Sequence, residues 1–168
     1  MGEYRPFPDE VGRNTAHGDI ELPVMQRVLD LPRGQDVLEI GCGGGCGLHA
    51  LAALLAPRRL VGVDIDAAAL ARAAGAPAEL YEADVRRLPF PDASFDLVLD
   101  FGTLWHIARP ALALAEIARV LRPHGRFVHE TKLNQLASHP LRSFGRRVPW
   151  SSLRLERSTF LWAVRVKA

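Results

Sequence analysis

Twelve residues, Asp36 to Gly47 (DVLEIGCGGGCG), constrain the rest of this chain most. A short apolar run (Val37, Leu38 and Ile40, with Glu39 inside it) follows Pro32-Arg33-Gly34 and precedes five glycines in seven residues. Such a run between turn signals predicts a buried parallel strand. Glycines directly behind it let the backbone turn sharply and approach a ligand closely, because no Cβ intervenes. Leu48 to Ala56, rich in Leu and Ala, predicts a helix. Strand, glycine loop and helix in this order form a βα turn that can hold a nucleotide at a helix N-terminus.

The remaining elements follow the same alternation. Residues 1–18 lack periodicity and read as an irregular arm, and Pro23 to Leu31 as an amphipathic helix with Val24, Val28, Leu29 and Leu31 on one side. Leu60 to Asp64 predicts a second buried strand, with Asp66 capping a helix over 67–74 and Gly75 stopping it. Ala78 to Tyr81 and Phe95 to Phe101 predict strands three and four, separated by a proline-rich loop. Ala111 to Leu121 predicts a helix with Leu112, Ala115, Ile117, Ala118 and Leu121 on its apolar face, and Arg126 to Glu130 a fifth strand. Leu153 to Phe160 and Leu161 to Val166 alternate as two final strands, too close for a crossover helix, so they should pair antiparallel. The fold class expected is therefore α/β: a Rossmann-like, mostly parallel seven-stranded sheet with a C-terminal antiparallel hairpin and helices on both faces.

At 168 residues, 48% of them hydrophobic and 24% charged, the chain is expected to form one domain with a single well-buried core. Its parts are an arm and helix over 1–34, a core over 35–131, and a segment and hairpin over 132–168. No apolar stretch reaches membrane-spanning length and the N-terminus lacks a secretory layout, which predicts a cytoplasmic protein that does not engage a membrane. Cys42 and Cys46 are the only cysteines, four residues apart in the glycine loop, a poor zinc site; they are expected to be reduced, loop-packing residues, with no metal. Charge is uneven: residues 119–168 carry 11 bases against two acids, Glu130 and Glu156. That asymmetry fits a nucleic-acid or anionic partner, and equally an arginine-rich solvated face with its aromatics in the core.

Two nucleotide fingerprints fail on the loop. Counting from Gly41 and Gly43, the third glycine of the dinucleotide pattern falls on Cys46. The Gly-Lys-Ser/Thr of a phosphate loop is missing, since no lysine precedes Lys132. What the loop does match is E-x-G-x-G, at Glu39-Ile40-Gly41-Cys42-Gly43. This resembles motif I of the class I S-adenosylmethionine-dependent methyltransferases, in particular the type 11-like group. The likeness runs from residue 35 to 131: VGVDID (61–66) resembles the second motif, EADVRRLPFPDASFDLV (82–98) the adenine-binding stretch and fourth strand, and LAEIARVLRPHGRFV (114–128) the following helix and strand. There the usual glycine pair is His124-Gly125, a departure confined to a turn.

The resemblance implies S-adenosylmethionine as cofactor. Gly41, Cys42 and Gly43 would pass their backbone along its amino-acid end, and Glu39 would orient the loop or help hold the cationic end. Asp64 would accept hydrogen bonds from two ribose hydroxyls, Ile65 would pack on the adenine, and Asp84 would accept from the adenine amino group beside the backbone of Val85. Asp100 and Phe101, after the fourth strand, would lie at the methionine end. Taken singly, Asp64 reads as an ordinary cap at a strand–helix junction and Asp84 as a turn residue; it is their spacing together that favours the cofactor.

The implied reaction is in-line displacement at a methyl group on sulfonium, in which the protein mainly aligns the acceptor. His106 is the candidate general base and Asp100 the second candidate catalytic group; a histidine that merely packs at the next helix is the alternative. Tyr4, Arg13 and His17 are candidates to close over the site. A small-molecule acceptor is the leading expectation, with methylation of RNA or protein, or a non-catalytic cofactor-binding partner subunit, as rivals. Oligomeric state is not legible in the sequence.

Overall fold

The computed structural model describes residues 14–130, 150 and 152–168. Seven strands form one sheet in the order β3-β2-β1-β4-β5-β7-β6. They are β1 (Asp36–Ile40), β2 (Arg59–Asp64), β3 (Glu79–Glu82), β4 (Phe95–Asp100), β5 (Leu121–Glu130), β6 (Leu153–Ser158) and β7 (Trp162–Lys167). The first five run parallel; β7 pairs antiparallel with both β5 and β6. The fold class read from the sequence is the one observed.

Among the described residues, four helices cover the faces: α1 (Leu22–Leu29), α2 (Cys46–Leu55), α3 (Ala67–Arg72) and α4 (Pro110–Val120). Alternate residues of the central strands enter two separate cores. Leu38, Ile40, Val98 and Phe127 pack with Leu114 and Ile117 of α4 on one face. Val37, Leu97, Leu99 and Val128 pack with Leu22 and Met25 of α1 and Leu48, Leu51 and Leu55 of α2 on the other. Period-two alternation buried on both sides explains why β1 reads as an almost continuous apolar run.

Several local readings need correction. Residues 14–18 are helical rather than irregular, and a π-helical turn, His17–Glu21, joins them to α1. The buried face of α1 is Leu22, Met25 and Leu29, whereas Val28 is exposed. On α4 the buried residues are Ala113, Leu114, Ile117, Ala118 and Val120, and Leu112 points to solvent. In both helices the apolar residues outnumber those one face can bury, so propensity alone did not choose the face. β5 begins at Leu121, with a register irregularity beside Phe95 and Leu97. Asp66 caps α3 as expected, accepting from the Ala68 N–H at 2.9 Å, but that helix already ends at Arg72, before Gly75.

At the amino ends of the strands one ion cluster ties four segments together. The Asp36 carboxylate accepts from Arg58 Nε at 2.9 Å, Arg58 Nη2 at 2.7 Å and Arg122 Nη2 at 2.8 Å. Asp96 accepts from the Asp36 N–H at 2.9 Å and pairs with Arg122 Nη1 at 2.8 Å. The Arg58 and Arg122 guanidinium groups hold Asp36 below the usual carboxylate range, against the opposing effect of burial. A depressed carboxylate stabilises the fold above its unfolded-state pKa and loses that contribution as pH falls through its folded value. Asp36→Asn should therefore lower the thermal midpoint by several degrees at pH 7. The gap from wild type should close below about pH 4, as followed by calorimetry across pH.

Candidate functional site

The carboxyl ends of β1, β2, β3 and β4 lie side by side, and Glu39, Gly41, Cys42, Gly43, Asp64, Ile65, Asp84, Val85, Asp100 and Phe101 fall at these ends or on the loops leaving them. In open α/β sheets ligands bind there, at the point where strand order reverses, here between β1 and β4. Gly41 (φ +65°) turns the chain off β1, with its N–H donating to Val63 O at 2.7 Å. A Cβ on Gly41 would lie 1.8 Å from Thr103 Oγ1, so the close approach of the turn after β4 demands glycine. Gly43 (φ +53°) has open space where a Cβ would be. Gly45 (φ +83°) precedes α2, whose N-terminus has no side-chain cap, leaving backbone N–H groups that attract an anion.

Glu39 lies beneath this loop, 4% exposed. As the second residue after Val37 it points to the α2 side, where its oxygens would sit 2.5 and 2.7 Å from a Cβ on Gly47. Gly47 is thus a glycine within a helix because the carboxylate needs its space. Glu39 Oε2 has no hydrogen-bond partner among the described residues. Burial, then the charges of Asp64 and Asp100, push its pKa up to about 8.

Asp100 is fully buried, and its Oδ1 accepts from the N–H of Thr103 at 2.6 Å and of Gly102 at 3.2 Å, capping the 3-10 turn Thr103–Trp105. Its Oδ2 has no partner among the described residues, and burial raises its pKa to about 7 despite the backbone donors. Two buried carboxylates with unpartnered oxygens, beside the partly exposed Asp64, make a place for a cation.

Asp64 accepts from the Gly43 N–H at 2.8 Å through Oδ2 and from the Asp66 N–H at 2.9 Å through Oδ1, leaving each oxygen a second lone pair. Ile65 is 66% exposed, an apolar surface at the rim. Asp84 is engaged more heavily than its sequence reading foresaw: Arg86 grips it through Nε and Nη2, and its backbone N–H adds a bond of 2.8 Å. Arg86 holds the Asp84 pKa down. Val85 is buried in the α4-side core.

The Cys42 thiol points into the core against Gly62 and Leu48, and burial pushes its pKa up to about 12. Only its backbone faces the loop, so the thiol is an inert packing group. Cys46 Sγ contacts Asn14 O at 3.0 Å, tying the loop to the N-terminal helical turn. His17 from that turn meets the Phe101 ring edge-on at 4.5 Å and pairs with Glu21 at 3.0 Å; Tyr4 and Arg13 lie outside the described residues. His106 is exposed just past the 3-10 turn, its N–H bonded to Thr103 O at 3.0 Å.

Sequence reading missed Thr103, Gly47 and Arg86 as partners of the residues it named. The Asp-x-x-Thr spacing at 100–103 was a legible capping signal; the Glu39–Gly47 packing was not, because it crosses from strand to helix.

Residues 38–129 match the family model described as methyltransferase domain. The chain is 39% identical over 110 residues to a probable S-adenosylmethionine-dependent methyltransferase of Mycolicibacterium smegmatis, covering 64% of this chain and 42% of that protein. It is 38% identical over 100 residues to a fatty-acid O-methyltransferase of the same organism, covering 57% of this chain and 36% of that one. This chain thus spans less than half the length of either relative. Among solved structures, a SAM dependent methyltransferase from Aquifex aeolicus superposes with a TM-score of 0.77 at 15% identity, covering 98% of this chain and all of that one, a likeness of fold.

Two outcomes check the site geometry. Raised acids bind protons more tightly in the folded than in the unfolded chain, so stability falls as pH rises from the unfolded values of 4.5 and 3.8 toward about 8 for Glu39 and about 7 for Asp100. Glu39→Gln, neutral at every pH, should flatten much of that decline between pH 4.5 and 8 in denaturant titrations. Gly47→Ala should destabilise the protein, and Glu39→Ala in the same chain should restore much of the loss. The helix then keeps the roughly 1 kcal/mol that alanine gains over glycine. Additive losses in the double variant would refute the Glu39–Gly47 contact.

Proposed function

We propose, from the premise that this chain belongs to the methyltransferase domain family, that it transfers a methyl group from S-adenosylmethionine to a small-molecule acceptor. The observation that carries the reading is the pair of unpartnered buried oxygens, Glu39 Oε2 and Asp100 Oδ2, at the head of a glycine loop with open space over Gly43. The residues fit the cofactor. Its ammonium and sulfonium charges suit the two buried acids, and its carboxylate suits the uncapped N–H groups of α2. Asp64, with one lone pair left on each oxygen, would take the ribose hydroxyls. Ile65 would lie against the adenine, and Asp84, already held by Arg86, would meet the adenine amino group beside Val85.

When bound, the cofactor supplies a methyl group on a leaving group that needs no protonation. The work left to the chain is alignment and exclusion of water. Phe101 and His17, in edge-on contact, would wall the methyl-bearing end. His106 would take the acceptor's proton, since imidazole exchanges protons near neutral pH.

The small-molecule reading is supported by how the basic C-terminal third is used. Arg119 bonds Glu116 and Asp92, Arg122 bonds Asp36 and Asp96, Arg126 pairs with Glu156, and Arg157 and Lys167 donate to Val28 O and Leu121 O. These five of the eleven bases, all among the described residues, hold the fold together. The name of the fatty-acid O-methyltransferase relative also favours a small acceptor.

Calorimetric titration should show binding of S-adenosylmethionine and S-adenosylhomocysteine but not NAD. Glu39→Ala should weaken S-adenosylmethionine about tenfold or more, the size of a lost charge-assisted contact. Tight binding of NAD alone would overturn the reading. His106→Ala should lower methyl-transfer turnover while leaving S-adenosylmethionine affinity within a few-fold; unchanged turnover would remove His106 from the mechanism.

A further inference from the structure

One strand beyond Asp100 lies a cluster that the reading above does not use. His129 on β5 is the register partner of Asp100 on β4, so both side chains leave the sheet on the same face. His129 is 6% exposed and its ring stacks on both Phe127, at 5.2 Å, and Trp150, at 4.7 Å, which also meet each other at 6.2 Å. Its Nδ1 lies 2.9 Å from Glu130 O and its Nε2 3.4 Å from Arg165 Nε. A carbonyl accepts only, so Nδ1 carries the proton and Nε2 accepts from the guanidinium. Burial lowers the imidazole pKa to about 4, keeping it neutral. The Arg165 guanidinium then lies 3.8 Å over the Trp150 ring, directed from β7 toward the carboxyl end of β5.

This is an expensive way to hold an arginine unless an anion meets it. Burial alone acts on its pKa, lowering it, and among the described residues it makes no ion pair. Nor can nearby sequence supply one: between Glu130 and Glu156 there is no Asp or Glu. Glu156 pairs with Arg126 at 3.6 Å. Glu130, next to His129 along the strand and opposite Trp162, leaves from the other face. Arg119, Arg122, Arg126 and Arg157 are taken up by acids or carbonyls and Arg154 is exposed on β6, whereas Arg165 is half-buried and anchored by a neutral ring and an aromatic face. Those two contacts fix Nε and one face of the plane and leave the Nη edge to grip a planar anion with two parallel bonds.

We propose that Arg165, positioned by His129 and Trp150, binds a carboxylate on the methyl acceptor. The assignment to the acceptor rests on the methyltransferase reading, since it is the Asp100 end of the cofactor site that adjoins the cluster. The subsite selects acceptors with an apolar body, which lies against the partly exposed Trp150, and a carboxylate at one end.

The test uses the full chain with and without saturating S-adenosylhomocysteine, titrated calorimetrically with octanoate, octyl phosphate and 1-octanol. Octanoate should bind the wild-type protein. Arg165→Met should weaken it about tenfold or more, Arg165→Lys by an intermediate factor because the charge stays but the fork is lost, and Arg154→Met, on exposed β6, should leave it within twofold. The variants' thermal unfolding and S-adenosylhomocysteine affinity are measured alongside, and both should stay close to wild type. No octanoate binding, equal binding by Arg165→Met, or 1-octanol bound as tightly as octanoate would each overturn the proposal. Octyl phosphate bound more tightly than octanoate would overturn the carboxylate in favour of a phosphate. Failure of S-adenosylhomocysteine to bind the wild type would instead sink the methyltransferase reading, whatever octanoate does.

Discussion

A carboxylate inside the central strand governs the architecture around it. Glu39 takes the position on β1 that an apolar residue would otherwise fill, and its oxygens occupy the volume where a side chain on Gly47 would be. The start of α2 can therefore approach β1 only as glycine, and the loop between them closes over the acid. Gly41 makes the matching concession on the other side, where Thr103 leans on the turn and donates to Ile40 O at 3.2 Å. One buried charge and two missing side chains set the shape of the corner from which the site is built.

The two ends of the sheet treat their charges in opposite ways. At the amino ends, the Asp36 and Asp96 carboxylates are surrounded by the guanidinium groups of Arg58 and Arg122. At the carboxyl ends, Glu39 and Asp100 each keep an oxygen without a partner among the described residues, and burial pushes both toward the neutral form. A saturated ion cluster stabilises a fold; an under-satisfied one stores a preference for a ligand of opposite charge. Arg165 repeats the second pattern with the sign reversed, one strand beyond Asp100. The site thus carries a place for a cation and a place for an anion next to each other, as a cationic cofactor and an anionic acceptor would require.

Much of this was legible in the chain because its signals are local. The alternation of apolar runs with helical segments, the glycines after β1, the acids ending β2 and β4 and the short link between β6 and β7 each lie within a few residues. Together they led to the sheet, its hairpin and the family. Where the reading missed, the deciding contact was distant or the local signal was degenerate. Val28 and Leu112 look as apolar as their buried neighbours, and only the position of the sheet decides that Met25 and Leu114 go inside instead. The helical start at residue 14 depends on Cys46 and Phe101, far along the chain, for its contacts.

The sequence by itself determined the order of strands and helices, the family, and the set of acids and glycines at the carboxyl ends of β1 to β4. It could do so because hydrophobic period and glycine placement act over neighbouring residues. Tertiary structure alone decided which of those acids are left wanting a partner. Asp84 meets Arg86 two residues away, whereas Asp100 and Glu39 meet too few donors once the strands close around them. It also decided that one arginine among many in the C-terminal third stands over a tryptophan with no acid among the described residues beside it. Desolvation and pairing depend on what the fold packs next to a charge, and a linear chain does not state that.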